Sequence, residues 1–291
     1  MSAYVISEKN GALRVGGIGD FSVFSTFDCG QCFRFDPVED SEYKTEFSGV
    51  ARGRKVGFAQ NGPGEIFIVG AKKEEFPLWE NYLALDVDYD AINERITECV
   101  PEGADRETMK RAVDASRGIR ILRQDRWEAL CSFIVSQNNN IPRIKKIISA
   151  MCEKYGRDLG GAKDFPTADA LNDAGEEALF ALRTGFRAKY IAAAARAVSA
   201  DASFLDSVAA ASDYEEANRL LTSLKGVGPK VAACTLLFGF ERYDAFPVDV
   251  WIKRVLEKRF TKDFDYHVLG DAAGIAQQYL FYSERYLGGA D

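Results

Sequence analysis

An amine and a carboxylate held close together can act on an electrophilic carbon, the amine by attacking it and the carboxylate by steadying the positive charge that builds there. Lys230 and Asp249 are the pair that this sequence sets up for such work, within the stretch Leu221–Phe260, LTSLKGVGPKVAACTLLFGFERYDAFPVDVWIKRVLEKRF. Gly226 and Gly228 bracket Val227, so the backbone can reverse sharply there and expose its N–H groups. Pro229 suits the first position of a new helix, where its missing N–H is not needed. That helix places Lys230 and Cys234 four apart on one face. A helix start with bare glycine amides receives a phosphate, which is how a protein grips a nucleic-acid backbone without reading its sequence. Further on, Pro247 discourages helix before it and Asp249 sits where an N-cap belongs. Each residue alone has a plainer reading, a solvated lysine and a helix cap. Placed at the starts of two consecutive helices beside the Gly-Val-Gly turn, both face the same bound backbone.

The elements that must position them divide the chain in two. Up to about residue 70, alternating residues predict strands at 4–7, 12–15, 21–27, 33–36, 44–50, 54–59 and 66–69. Asn10-Gly11 marks a tight hairpin between the first two, and Asn61-Gly62-Pro63-Gly64 marks a later turn. With no helix between them, these strands imply an antiparallel sheet. From Phe76 the period becomes helical, at 76–84, 89–99, 106–115, 125–136, 141–156, 175–183, 187–199, 213–224, 229–239, 250–259 and 269–283, with Asp125 as a cap. The expected fold class is α+β: a sheet domain over residues 1–105, then a mostly helical domain over 106–291, with the helix–turn–helix at about 213–240 and the aspartate loop at 247–251. A chain of 291 residues buries enough for two packed units.

Hydrophobic content of 47% and charged content of 28% are those of a globular protein, and no apolar run approaches the ~20 residues that span a bilayer. The start MSAYVISEKNGALRV lacks the layout of a secretory leader, so an intracellular place is expected. The net charge of −7 argues at face value against a nucleic-acid partner. Between Arg117 and Lys146, however, seven basic residues stand against two acids, which predicts a basic face on an acidic body. Six cysteines fit reduced thiols. Cys29-Gly30-Gln31-Cys32 is a CxxC, yet no second pair and no histidine cluster completes a four-ligand zinc site.

The stretch Leu221–Phe260 resembles the helix-hairpin-helix DNA glycosylases, and among them the 8-oxoguanine DNA glycosylases. The similarity extends to ILRQDRWEALCSFIVSQNNNIPRI (Ile121–Ile144), GFRAKY (Gly185–Tyr190) and GIAQQYLF (Gly274–Phe281), and so to nearly the whole chain. It implies base-excision repair of double-stranded DNA containing 8-oxoguanine opposite cytosine, with an associated AP lyase activity that cuts the strand. Lys230 is then the amine nucleophile and Asp249 the aspartate that promotes loss of the base. Gly30, through its backbone C=O, meets N7–H of the lesion, Gln277 reads the pairing edge, and Phe281 and Cys234 lie against the two faces. Asn138 fills the vacated stack, Arg143 and Arg187 bond the orphaned cytosine, and Phe186 wedges between bases. Gly226, Val227, Gly228 and Trp251 contact the DNA backbone, and the carbonyls of Thr222, Leu224 and Val227 hold a structural cation.

Two positions depart from the family pattern. Phe186 replaces a frequent tyrosine and loses its hydroxyl, and Trp251 stands where histidine is frequent, which bears on phosphate contact and lyase efficiency. No cofactor is expected, since the iron–sulfur ligand set of some relatives is missing. The expected protein is a monomer with no membrane partner, cytoplasmic at the nucleoid in a bacterium or nuclear in a eukaryote. Two other readings are a monofunctional alkylpurine glycosylase, which Lys230 opposes, and a non-catalytic helix-hairpin-helix module, which leaves the Lys230/Asp249 pair and the Gln277/Phe281 wall without a purpose.

Overall fold

Asn10 and Gly11 both take positive φ, 51° and 75°, as the tightest hairpin turn demands, and they join β1 (Val5–Lys9) to β2 (Ala12–Gly16). The computed structural model describes residues 4–286 and 288. With β3 (Phe35–Pro37), β4 (Thr45–Ala51), β5 (Arg54–Gln60) and β6 (Glu65–Val69), these strands form one antiparallel sheet in the order β1-β2-β6-β5-β4-β3. Alternate residues Leu13, Val15, Val56, Phe58, Ile66 and Ile68 are buried together, as a period of two requires. Trp79 and Tyr82 pack on Phe58, while Phe27 stacks on it with ring centroids 4.8 Å apart.

Residues 21–27, expected as a strand, instead contain helix α1 (Val23–Phe27). Ser22 caps it by accepting from Ser25 N–H at 3.1 Å. The Gln60 side chain accepts from Val23 N–H and donates to the Phe21 carbonyl, so backbone groups that a sheet neighbour would satisfy are satisfied here by a side chain.

The rest is helical: α2 (Phe76–Tyr82), α3 (Tyr89–Cys99), α4 (Ala104–Ala115), α5 (Arg126–Ser136), α6 (Ile141–Tyr155), α7 (Ala168–Leu179), α8 (Ala188–Ala200), α9 (Phe204–Ala209), α10 (Tyr214–Thr222), α11 (Pro229–Phe240), α12 (Val250–Arg259) and α13 (Ala273–Tyr286). Most expected helices lie within a residue or two of these bounds. The one expected at 175–183 does not. Thr167 caps α7 at its true start, Gly175 (φ 75°) kinks it, and a wide turn over Phe180–Thr184 with Arg183 left-handed (φ 62°) ends it. Helix α9, six residues long, is too short to show a period. The expected helix at 269–283 splits at Gly270 (φ 52°) into a 3₁₀ segment, Tyr266–Ala272, and α13.

Two cores organise the chain. The sheet core takes Leu13 through Leu85 with Leu122, whereas Tyr89, Ile96 and Val100 belong to the helical core, so packing divides the chain earlier than the expected boundary near residue 105. The segment Asp28–Phe33 crosses between them: Cys29 and Phe33 pack into the helical core and Cys32 into the sheet core. Both thiols are free, and burial pushes both up in pKa, Cys29 to about 12.

The expected basic face from Arg117 to Lys146 does not form. Arg117, Arg126 and Lys145 pair with Asp20 or Asp114, Asp206 and Asp36. Arg123 is buried against Asp86 and Glu241, and Arg120 donates to the carbonyls of Ala84 and Val87. Acids neutralise four of the seven cations and carbonyls hold a fifth, while exposed Arg143 and Lys146 make no ion pair among the described residues.

The Arg34–Glu128 ion pair (3.1 Å) ties the crossing segment to α5, with only 8% and 17% of the two side chains exposed. Burial raises the Glu128 carboxyl from 4.5 to about 7, an effect that Arg34 opposes without cancelling. Between those values the folded chain keeps a proton that the unfolded chain releases. Glu128 therefore contributes stability that is fully present below pH 4.5 and lost as the pH rises towards 7. Urea titrations should show Glu128→Gln gaining on the parent by about 1–3 kcal/mol between those limits, and a pH-independent difference would show that Glu128 is not the titrating group.

Candidate active site

The turn between α10 and α11 has the geometry that its glycines suggest, for two different reasons. Gly226 takes φ 86°, and a Cβ there would lie 2.1 Å from the Tyr190 ring. Gly228 has open space around it, precedes Pro229 with extended backbone and lines the cleft, so its value is an uncovered amide rather than a steric fit. Val227 is buried, its N–H bonded to the Leu224 carbonyl at 3.0 Å.

Helix α11 is apolar on nearly all sides and lies tight against α5. A Cβ on Gly239 would come within 2.9 Å of Ala129 Cβ. That contact brings the first turn of α11 beside the last turn of α5. Lys230 Nζ donates to Ser136 Oγ at 3.3 Å and lies 5.7 Å from the centre of the Phe133 ring. The Ser136 proton goes to the Phe133 carbonyl (2.8 Å), leaving only lone pairs for the lysine.

Asp249 stands where the sequence places it, at the start of α12. Its Oδ1 accepts from the N–H groups of Trp251 and Ile252, each at 2.9 Å, and so caps α12. Its other oxygen is left to the cleft, which Asp249 and Lys230 line together. The Cys234 thiol, raised in pKa by burial, feels the Lys230 ammonium and the Asp249 carboxylate in opposite senses, so three groups from α11 and the α12 cap share one small volume.

Two adjoining cavities meet at this pair. The larger, about 630 Å³, is the open cleft. The smaller, about 50 Å³, runs inward and is lined by Gly30, Cys234, Gln277 and Phe281, the four residues expected to hold a base. It is far below the ~300 Å³ at which small-molecule pockets begin. Phe281 borders both cavities, and a Cβ on Gly30 would lie 3.1 Å from Ile141 and 3.6 Å from the Phe281 ring.

Gly30, at φ 80°, is held by residues whose role the sequence did not reveal. The buried Gln31 side chain donates to the carbonyls of Thr26 and Arg120 and accepts from Leu122 N–H, at 2.8–2.9 Å. Gln124 donates to the Gln31 carbonyl at 2.7 Å and Gln278 to the Cys29 carbonyl at 3.0 Å. Both carbonyls flanking Gly30 are thus taken, and that of Gly30 has no partner among the described residues. Only burial of three glutamines could have signalled this, and burial is not visible in a sequence.

The other expected contacts gather at one edge of the cleft. Asn139 donates to the Val135 carbonyl, Asn140 caps α6 by accepting from Arg143 N–H, and Asn138, left-handed at φ 46°, presents a free, exposed side chain to the cleft. Phe186 is 47% exposed on the same rim. Arg143 is exposed, with one weak bond to the Arg183 carbonyl at 3.4 Å. Arg187 differs: it is buried, donating to the carbonyls of Gln137, Thr184 and Asn138. In this state it fixes the Asn138 turn rather than facing a partner base. Trp251 lines the cleft with the Arg254 guanidinium 5.4 Å above its ring.

The two hairpin glycines should respond differently to a methyl group. Gly226→Ala should lose about 2–4 kcal/mol in chemical denaturation, from left-handed strain plus the Tyr190 clash. Gly228→Ala should stay within about 0.5 kcal/mol of the parent. Equal losses would show that neither the left-handed backbone nor the Tyr190 contact sets Gly226 apart from Gly228.

Comparison with known proteins agrees with this geometry. Residues 17–130 match the description "8-oxoguanine DNA glycosylase, N-terminal domain" and residues 131–263 match "HhH-GPD superfamily base excision DNA repair protein". The fold superimposes on MBOgg1 in complex with a low affinity DNA ligand, with TM-score 0.87 and 38% identity over 99% of this chain and 100% of that one. It also superimposes on the Clostridium acetobutylicum 8-oxoguanine glycosylase/lyase bound to duplex DNA with cytosine opposite 8-oxoguanine, with TM-score 0.86 and 34% identity over 98% of each chain. The N-glycosylase/DNA lyase of Saccharomyces cerevisiae is 38% identical over 159 residues, 50% of this chain but only 42% of that protein, so the match spans under half of that curated relative. With a full-length structural match at this identity and both halves of the chain accounted for, the protein belongs to the 8-oxoguanine DNA glycosylase family of the HhH-GPD superfamily.

Proposed function

We propose that this protein removes 8-oxoguanine from opposite cytosine in duplex DNA and then cuts the strand at the resulting site. The observation that carries the reading is the junction of the two cavities: an amine and a carboxylate stand at the mouth of an inward slot lined by Gly30, whose carbonyl has no partner among the described residues. Guanine presents a lone pair at N7, whereas its 8-oxo form presents N7–H. An outward carbonyl favours the second and repels the first, a difference of about 1–3 kcal/mol. The base must leave the duplex to reach it. The free Asn138 side chain on the cleft edge supports a role in filling the gap, with exposed Arg143 the readier contact for the orphaned cytosine.

In the reaction, the neutral Lys230 amine attacks C1′ and the bond from C1′ to the base breaks, the base leaving with a proton. Positive character at C1′ is steadied by the cleft-facing oxygen of Asp249. Opening of the sugar gives a Schiff base between Nζ and C1′. Loss of a C2′ proton then expels the 3′ phosphate, and water releases the lysine. Backbone amides at Gly228 receive a DNA phosphate at the start of α11. The carbonyls of Thr222, Leu224 and Val227 complete the proposal as a cation seat, that of Leu224 already sharing itself with Val227 N–H. The protein works as a monomer wherever genomic DNA lies, at the nucleoid or in the nucleus.

Borohydride reduction tests this. The parent with an 8-oxoguanine·cytosine duplex should give a covalent adduct, and Lys230→Gln none, with base release lost too. Asp249→Asn keeps an acceptor for the cap, so it should fold normally yet slow base release by ~10²–10³-fold. Base release by Lys230→Gln at the parental rate would refute the nucleophile, and adducts of equal yield with undamaged duplex would refute the lesion.

A further inference from the structure

Helix α13 carries Gln277, Phe281 and Arg285 at successive steps of four, so all three project along one face. Their depths differ in order. Gln277 is 5% exposed and lines only the inner slot, Phe281 borders both cavities, and Arg285 lines only the open cleft. Among the described residues lining that cleft, Lys230 and Arg285 alone are basic. Lys230 has to give up its proton to act. Arginine does not do so in proteins, which leaves Arg285 as the lining cation that stays charged throughout the reaction.

Arg285 is also uncommitted. Most arginines on the body of this protein are tied to carboxylates, but Arg285 makes no ion pair among the described residues. Its guanidinium rests between two rings, 5.5 Å from the centre of Phe281 and 5.4 Å from that of Tyr286. A cation parked on aromatic faces keeps its N–H donors free for an anion. Trp251, across the same cleft, has no charge with which to hold a phosphate.

We propose that Arg285 binds one of the two phosphates flanking the extruded nucleotide, so that one helix face reads the base edge with Gln277, stacks its ring with Phe281 and anchors its backbone with Arg285. This deepens the glycosylase reading and rests on it. Arg285 lies over the Phe281 ring, which borders the base slot, so drawing it onto a phosphate also uncovers that ring.

The test uses full-length protein and a duplex holding a tetrahydrofuran abasic analogue opposite cytosine, with either flanking phosphate replaced by a neutral methylphosphonate. The parent should lose affinity by ~10-fold at one of the two positions. Arg285→Gln should show that loss with the all-phosphate duplex and be indifferent to the same methylphosphonate. Its slope of log affinity against log salt should also be shallower by ~0.9. Arg285→Lys, which keeps the charge, should retain the parental slope. An Arg285→Gln protein that responds to both methylphosphonates as the parent does would overturn the assignment. Failure of the parent to prefer the abasic analogue over undamaged duplex would instead overturn the glycosylase reading itself.

Discussion

A single buried amide, that of Gln31, holds together the part of this protein on which recognition depends. It sits where the chain leaves the sheet core for the helical core, and it bonds backbone on both sides of that passage. Each buried polar group left without its partner costs about 1–3 kcal/mol, so the segment Asp28–Phe33 has one favourable course through the interior. That course leaves the Gly30 carbonyl without a partner among the described residues, between two carbonyls that are both taken. On the proposed reading, selectivity for an oxidised purine is then a property of the backbone. A backbone carbonyl cannot rotate away to accommodate the wrong base, as a side-chain acceptor could.

The place of Lys230 depends on a different constraint, close approach of two helices. Helix α11 reaches α5 because Gly239 has no side chain to hold them apart, and Lys230 and Ser136 meet as a consequence. Ser136 is followed at once by Gln137 and Asn138, whose carbonyls Arg187 clasps. The lysine, the residue on the cleft edge and the buried arginine therefore form one mechanical unit.

How much of this was legible in the sequence follows from range. Local signals read well: the Asn10-Gly11 turn, the caps at Asp125 and Asp249, and the Gly-Val-Gly hairpin each act within four residues, and each stands where expected. The strand expected at 21–27 failed because the deciding partner, Gln60, is far along the chain. The basic face failed for the same reason, since Asp20, Asp36, Asp86 and Asp206 reach those cations only after folding. Site residues came from resemblance to a family, and the structure gathers Gly30, Cys234, Gln277 and Phe281 around one slot. What resemblance could not supply was state. It named Arg187 without showing that its donors are occupied, and four base contacts without showing how small a slot they line.

The small size of that slot bears on how an acidic protein of this family meets DNA. A net charge of −7 disfavours non-specific attraction to a polyanion. On the proposed reading, the contacts that distinguish a lesion are made by the residues around the inner slot and form only after a base has left the helix. Affinity is thus deferred to the step at which identity is read. A strongly basic surface would reverse that order, holding every sequence equally and leaving the Gly30 carbonyl little to decide.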